Sequence, residues 1–434
     1  RFGLPFKRGD RYFFHHNNGL QDHSVLYMMD DIESGTATVV LDPNKLSDDG
    51  TVSAPITSFS EDGSLLAYGT SDGGSDWRTI HLRNVLSGRD LTETLHWVKF
   101  SSITWTHDNN GFFYSRYPEP DNPLESVNKN KKLYYHEIAT PQDQDRLVYE
   151  RPDNPDMGFS TELNDAGDTL IVYISQGTDA KNRMYSLDLK DPNAEPVKLF
   201  DRFDGAYYFL GDKTIKDERG WLARSMGKKH TPPRRYWIYT NKDAPKGRVI
   251  AIDPANPGEE HWVEIIPEGE HVMEQVNLTG NKLIAKYLID AKYEVQIFGL
   301  NGEFEDKVSL PDIGSAWGFG GKGNDPETFF AFSGYTTPTR IYRYNTETKE
   351  ATLWREPKVD FDSSQFETKQ VFYESKDGTK VPMFLIHKKD LVVDGSNPTI
   401  LYGYGGFNIS LTPSFSTSRL VWMEMGGVYA VANL

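Results

Sequence analysis

Cysteine is absent from the 434 residues. That excludes disulfides, thiolate metal sites and a cysteine nucleophile. It agrees with a reducing compartment, and the cytoplasm is the expectation, although exported chains without cysteine are common. No apolar run approaches the length of a membrane span, so no membrane partner is expected. The start, Arg1-Phe2-Gly3-Leu4-Pro5-Phe6, has neither an initiator methionine nor a charged-then-apolar signal layout; it reads as a trimmed N-terminus. Positive charge is scarce. The 47 Lys and Arg face 63 Asp and Glu, for a net charge of −16, which argues against a nucleic-acid partner because phosphate neutralisation needs a basic surface. Lys228 and Lys229 form only a minor basic cluster. Helical periodicity over a dozen residues is hard to find before Trp354.

Apolar side chains and aromatics are plentiful, at 37% and 13%, enough for a sizeable core. They fall in a repeat. Short apolar strands, often with an aromatic, align on Leu26, Ile80, Leu133, Met184, Trp237, Val295 and Ile341, with steps of 54, 53, 51, 53, 58 and 46 residues. Most units add a strand, a turn and a second strand, as in 59–68, 105–114 and 163–172. Asp-Gly and Asn-Gly pairs suit tight hairpin turns, and Asn18-Gly19 reads as the same turn in the first unit. Asp62, Asp108 and Asp165 read as turn formers rather than metal ligands. Seven units of this length, with about four strands each, predict a mainly β chain built as a seven-bladed β-propeller over residues 1–356.

The rhythm stops after Thr346. Arg355-Glu356-Pro357-Lys358-Val359-Asp360 reads as a linker, and residues 357–434 as the opening of a different domain. Thr368–Tyr373 and Val381–His387 form a hairpin around Ser375-Lys376-Asp377-Gly378-Thr379. The runs Thr399–Tyr402 and Val428–Ala432 suit strands buried on both faces of a mostly parallel sheet, with a crossover helix from Ser416 to Met425. A sheet that stops there leaves open strand edges, so this end is expected to be an incomplete α/β domain.

One stretch carries chemistry: Leu401-Tyr402-Gly403-Tyr404-Gly405-Gly406-Phe407-Asn408. Its glycines let the backbone turn tightly and approach a ligand. In α/β-hydrolases a glycine-rich loop after the third strand supplies oxyanion donors. Tyr404 offers a phenolic donor and Phe407 an apolar wall. A plain strand-ending turn with packed aromatics explains the spacing equally well.

Several separated motifs resemble the prolyl oligopeptidase family of serine peptidases. They are 376–384, 401–410 and 426–433, with Asn18-Gly19-Leu20-Gln21, Leu41-Asp42-Pro43-Asn44, 46–52, Gly74-Ser75-Asp76-Trp77 and Trp97-Val98-Lys99-Phe100-Ser101 upstream. The resemblance covers essentially the whole chain. It implies a propeller that covers the active site of an α/β-hydrolase domain and excludes large proteins. It also implies cleavage of short peptides after proline through an acyl-enzyme, no metal or organic cofactor, and a monomeric enzyme. Residue by residue, Tyr404 matches the oxyanion-hole tyrosine. Phe407 and Ile409 match apolar residues of the substrate pocket, and Phe100 a propeller phenylalanine that reaches into the cavity. Two positions depart from the pattern: a main-chain-binding arginine of some members aligns with Ser175, and a cysteine with Thr178.

The family's serine, histidine and carboxylate all lie beyond the position matching Leu434, and no Gly-x-Ser-x-Gly elbow occurs in the chain. A helical segment that the family carries before the propeller is likewise expected ahead of Arg1. Of the eleven histidines, His15, His16 and His387 read as surface or packing groups. The 434-residue chain is therefore expected to be inactive by itself. Rival readings are a peptide macrocyclase of the same family and a non-catalytic propeller scaffold.

Overall fold

The computed structural model describes residues 1–33, 35–123, 125–214, 234–392, 394–407 and 409–433. Lys228, Lys229 and Asn408 lie outside the described residues. Seven four-stranded antiparallel sheets follow one another over residues 6–41, 53–98, 103–149, 157–200, 207–266, 272–307 and 315–355, each a meander in chain order. This is a mainly β chain with the seven sheets of a seven-bladed β-propeller. The residues fall into two compact units: Pro5–Glu268, with the first five sheets, and Arg1–Leu4 with Gly269–Leu434, holding the rest.

The strands follow from local alternation. In the third strand of the second sheet, Arg78–Asn84, Ile80 and Leu82 are buried while Thr79, His81 and Arg83 are half-exposed. The strand beside it, Leu65–Ser71, buries Leu66, Ala67 and Tyr68 in succession because both its faces are covered. The cores lie between successive sheets. Ile80, Leu82 and Leu95 of the second meet Trp105, Phe112 and Tyr114 of the third. Met184 and Phe200 of the fourth meet Tyr207 and Ile238 of the fifth. Small polar side chains add ties to the next sheet's carbonyls: Ser58 to Ile103 at 2.8 Å, Ser115 to Phe159 at 2.9 Å and Asn182 to Tyr207 at 3.0 Å.

Each unit has a β-bulge between its third and fourth strands, at the repeat position in most units but past Val295 in the sixth sheet. The register between third and fourth strands slips at Leu26/Tyr27, Arg78/Ile80, Leu133/Tyr134, Met184/Tyr185, Val249/Ile250, Ile297/Phe298 and Ile341/Tyr342, which adds twist to the outermost strand. This corrects one repeat position. Trp237 belongs to the second strand of the fifth sheet, Arg234–Thr240, and the counterpart of Leu26 is Val249 in Arg248–Ile252. Residues 215–233 separate the first two strands of that sheet, so a 53-residue step from Met184 lands one strand early. A second correction concerns Asn18-Gly19. It connects the second and third strands, Arg11–His16 and Val25–Met29, whereas the other turns join first to second. Asp62 and Asp108 are turn formers, accepting from the Ser64 and Asn110 amides at 2.9 and 3.1 Å. Asp165 also lies in its turn, where Asn164 accepts from the amides of Asp168 and Thr169 at 3.0 Å.

The eighth sheet is mixed. The hairpin Phe366–Glu374 and Lys380–Lys388 pairs antiparallel with Val428–Ala432, which pairs parallel with Thr399–Gly403. The crossover contains the helix Thr417–Glu424. Val428–Ala432 is largely buried, as expected, but Thr399–Gly403 is exposed along its whole length. Among the described residues it pairs on one side only, with Val428–Ala432.

Candidate active site

The glycine-rich segment leaves the carboxyl end of the parallel strand Thr399–Gly403, the end of such a sheet at which ligands bind. Tyr404 is 39% exposed, and a Cβ built on Gly406 would stand 3.2 Å from its hydroxyl oxygen. The phenol therefore lies over Gly406, and a side chain there would displace it. Phe407 is 90% exposed and takes a left-handed backbone, φ 57°, while Ile409 is 53% exposed and donates its amide to the Gly406 carbonyl at 3.2 Å. The structure thus brings Tyr404, Phe407 and Ile409 together on one short loop with one apolar ring, one aliphatic side chain and a phenol facing solvent.

Downstream the loop is pinned. Leu411 donates to the Asn433 side-chain oxygen at 2.7 Å and accepts from its nitrogen at 3.3 Å. Ser315 donates its hydroxyl to the Pro413 carbonyl at 2.7 Å, and Ser333 accepts from the Phe415 amide at 3.2 Å. Arg419 of the helix lies over the rings of Tyr335 and Tyr429 at 5.5 and 5.4 Å. Burial holds the Tyr335 phenol well above its ordinary range. Under the loop Phe384, Ile386, Leu420, Met423 and Val431 form an apolar core.

Phe100 belongs to the other unit. It sits in the connection from the second to the third sheet, 68% exposed and with φ 51°. Ser175 lies near the end of the strand Thr169–Gln176 of the fourth sheet, between Gly158 and Asn182, and Thr178 is exposed in the turn that follows. His387 is buried, its Nδ1 2.7 Å from the Lys388 carbonyl and 3.7 Å from Glu367, and burial lowers the pKa values of His15 and His16. Among the described residues no cluster of three His, Cys, Asp or Glu side chains is arranged for a metal ion. Sequence reasoning gave no role to Lys131 or to Asn433, which ends the motif 426–433; the importance of both lies in contacts with distant residues.

Comparison with known proteins supplies the family. The family described as "Prolyl oligopeptidase, N-terminal beta-propeller domain" matches residues 1–357. A prolyl endopeptidase of Elizabethkingia meningoseptica is 37% identical over 100% of this chain and 58% of its own length. The "Dual function macrocyclase-peptidase POPB" of Galerina marginata is 31% identical over 100% of this chain and 61% of its own. Among solved structures, one from a study of two prolyl endopeptidases superposes with a TM-score of 0.84 at 35% identity, covering 100% of this chain and 59% of that one. Prolyl oligopeptidase B from Galerina marginata bound to a 25mer macrocyclization substrate gives 0.85 at 29%, covering 100% and 61%. The chain thus spans about three fifths of the length of these relatives. With its propeller residues matched from end to end, the chain belongs to the prolyl oligopeptidase family.

Proposed function

We propose that these residues are the propeller, 1–356, and the opening of the α/β-hydrolase domain, 357–434, of a serine endopeptidase that cleaves short peptides after proline. The observation that carries this reading is the Tyr404 phenol, solvent-facing on a glycine-rich loop at the carboxyl end of a parallel strand. Attack on a peptide carbonyl puts negative charge on its oxygen. A phenolic O–H donated to that oxygen stabilises the tetrahedral intermediate more than the substrate, which is what accelerates the reaction. Phe407 and Ile409 would supply apolar surface for the proline ring, and Phe100, on its own unit, would supply apolar surface for the peptide. The attacking serine, its histidine base and the orienting carboxylate would come from outside the 434 residues, so the chain alone would not cleave peptides.

In the full-length protein, Tyr404→Phe is expected to lower kcat by about 10²- to 10³-fold with little change in KM. An unchanged kcat on a proline-containing chromogenic peptide sinks the assignment. A second reading, acyl transfer to the substrate's own amine, is favoured by the relatives named dual function macrocyclase-peptidases. Mass spectrometry of products from a long peptide decides it, since a cyclic product is 18 Da lighter than the linear one by the loss of one water.

A further inference from the structure

We infer that Lys131 is a positioning residue that holds Phe100 in its exposed, left-handed conformation and thereby sets how well this surface grips a peptide. The inference rests on the substrate role given to Phe100 above.

The connection from residue 97 to residue 102 departs from ordinary loop behaviour. Trp97 and Phe100 both have positive φ, 62° and 51°, a region that large L-residues avoid unless their surroundings impose it. Each residue around Phe100 is tied to a different neighbour. Lys99 places its ammonium 5.4 Å from the ring centres of both Trp77 and Phe100 and pairs with Asp76 at 3.6 Å. Ser101 accepts from the Ser115 amide at 2.8 Å, and Ser102 from the Thr161 amide at 2.9 Å. Trp77 stands edge-on to Trp97 and to Tyr117, at 5.9 and 6.1 Å.

The Phe100 peptide itself is held by Lys131. Its ammonium donates to the Phe100 carbonyl at 2.5 Å and lies 5.5 Å from the Tyr117 ring centre. Lys131 is only 5% exposed. Among the described residues no carboxylate pairs with it, and burial lowers its pKa, to about 8. A buried cation without a counter-ion is costly for folding, so stability does not explain it. The group it serves is the carbonyl of the most exposed aromatic residue on this connection.

The test uses the full-length protein and the variants K131M, K131R and K131Q. Two readouts are needed. The first is kinetic: K131M is expected to raise KM for proline-containing peptides at least fivefold, with kcat within twofold of the parent, and K131R to restore KM. The second needs no substrate. Limited chymotrypsin digestion after Phe100, followed by mass spectrometry, is expected to run at least fivefold faster in K131M and at the parental rate in K131R. The thermal midpoint of K131M should equal or exceed the parent's, which a merely structural lysine would not allow. K131Q keeps an N–H donor and should fall between. An unchanged rate of cleavage after Phe100 in both K131M and K131Q overturns the inference. Faster cleavage with an unchanged KM in K131M and in F100A supports the positioning and instead removes Phe100 from the substrate site.

Discussion

Asn433 and Leu411 form a reciprocal pair: the Asn433 side chain accepts from the Leu411 amide at 2.7 Å and donates back to its carbonyl at 3.3 Å. Asn433 follows the buried strand Val428–Ala432, and its own amide donates to the Pro382 carbonyl at 3.0 Å. The pair therefore ties the end of the Tyr404 loop to the centre of the eighth sheet. In the full-length protein Asn433→Ala is expected to lower kcat by about 10-fold, because a small displacement of a catalytic group is costly, while KM stays within twofold. Steady-state kinetics alongside Tyr404→Phe check this. If the loop acts through Tyr404, the double variant is no slower than Tyr404→Phe alone.

A second expectation concerns pH. Glu162 of the fourth sheet is pushed up to about 7 by burial, against the opposing hydrogen bond from Tyr173. Tyr173 in turn accepts from the Phe209 amide of the fifth sheet at 2.9 Å. The folded-state pKa lies above the ordinary 4.5, so this group's stabilising contribution is full below about pH 4.5 and is lost as pH rises through 7. Glu162→Gln should be more stable than the parent at pH 8 by about 3 kcal/mol, with the gain vanishing near pH 4.5. Guanidinium melts at the two pH values measure it.

In the third sheet the buried Asp145 accepts from His136 at 2.7 Å and from Tyr114, whose hydroxyl also accepts from Gln142 at 3.0 Å. Both members of the His136–Asp145 pair are fully buried. Asp145→Ala leaves the imidazole and the phenolic O–H without their acceptor and should cost about 3 kcal/mol, whereas Tyr114→Phe removes one of the two donors to Asp145 and should cost about 1–2 kcal/mol. Urea unfolding orders the two, and a smaller loss for Asp145→Ala contradicts the account.

Close packing gives a fourth expectation. A Cβ at Gly111 would lie 2.2 Å from the His136 carbonyl oxygen and 2.6 Å from the Tyr135 hydroxyl. Backbone on the paired strand cannot yield as a flexible side chain would, so Gly111→Ala should destabilise by roughly 2 kcal/mol or more. A thermal midpoint equal to the parent's would show that the strands can separate locally.

Much of the fold was legible in the residues because its determinants are local. The turn pairs around Asp62 and Asp108, and the alternation of Ile80 and Leu82 with polar neighbours, need no distant partner to be recognised. The misplaced Trp237 shows the limit. A period counts residues, while the bulge at Val249 that defines the equivalent position exists only once two strands are paired. Tyr404 stood out by its glycines. Lys131 and Asn433 did not, since their roles lie in contacts with Phe100 and Leu411 across the fold.

The amino-acid order by itself determined the seven sheets, the change of pattern after the linker and the glycine-rich loop, all encoded over spans of a few to about fifty residues by strand periodicity and turn chemistry. Tertiary structure alone decided that Val428–Ala432 lies between Lys380–Lys388 and Thr399–Gly403, that a buried lysine grips the Phe100 carbonyl, and that Asn433 brackets Leu411. Burial and hydrogen-bond partnership are properties of pairs of distant segments, and no single stretch of chain contains them.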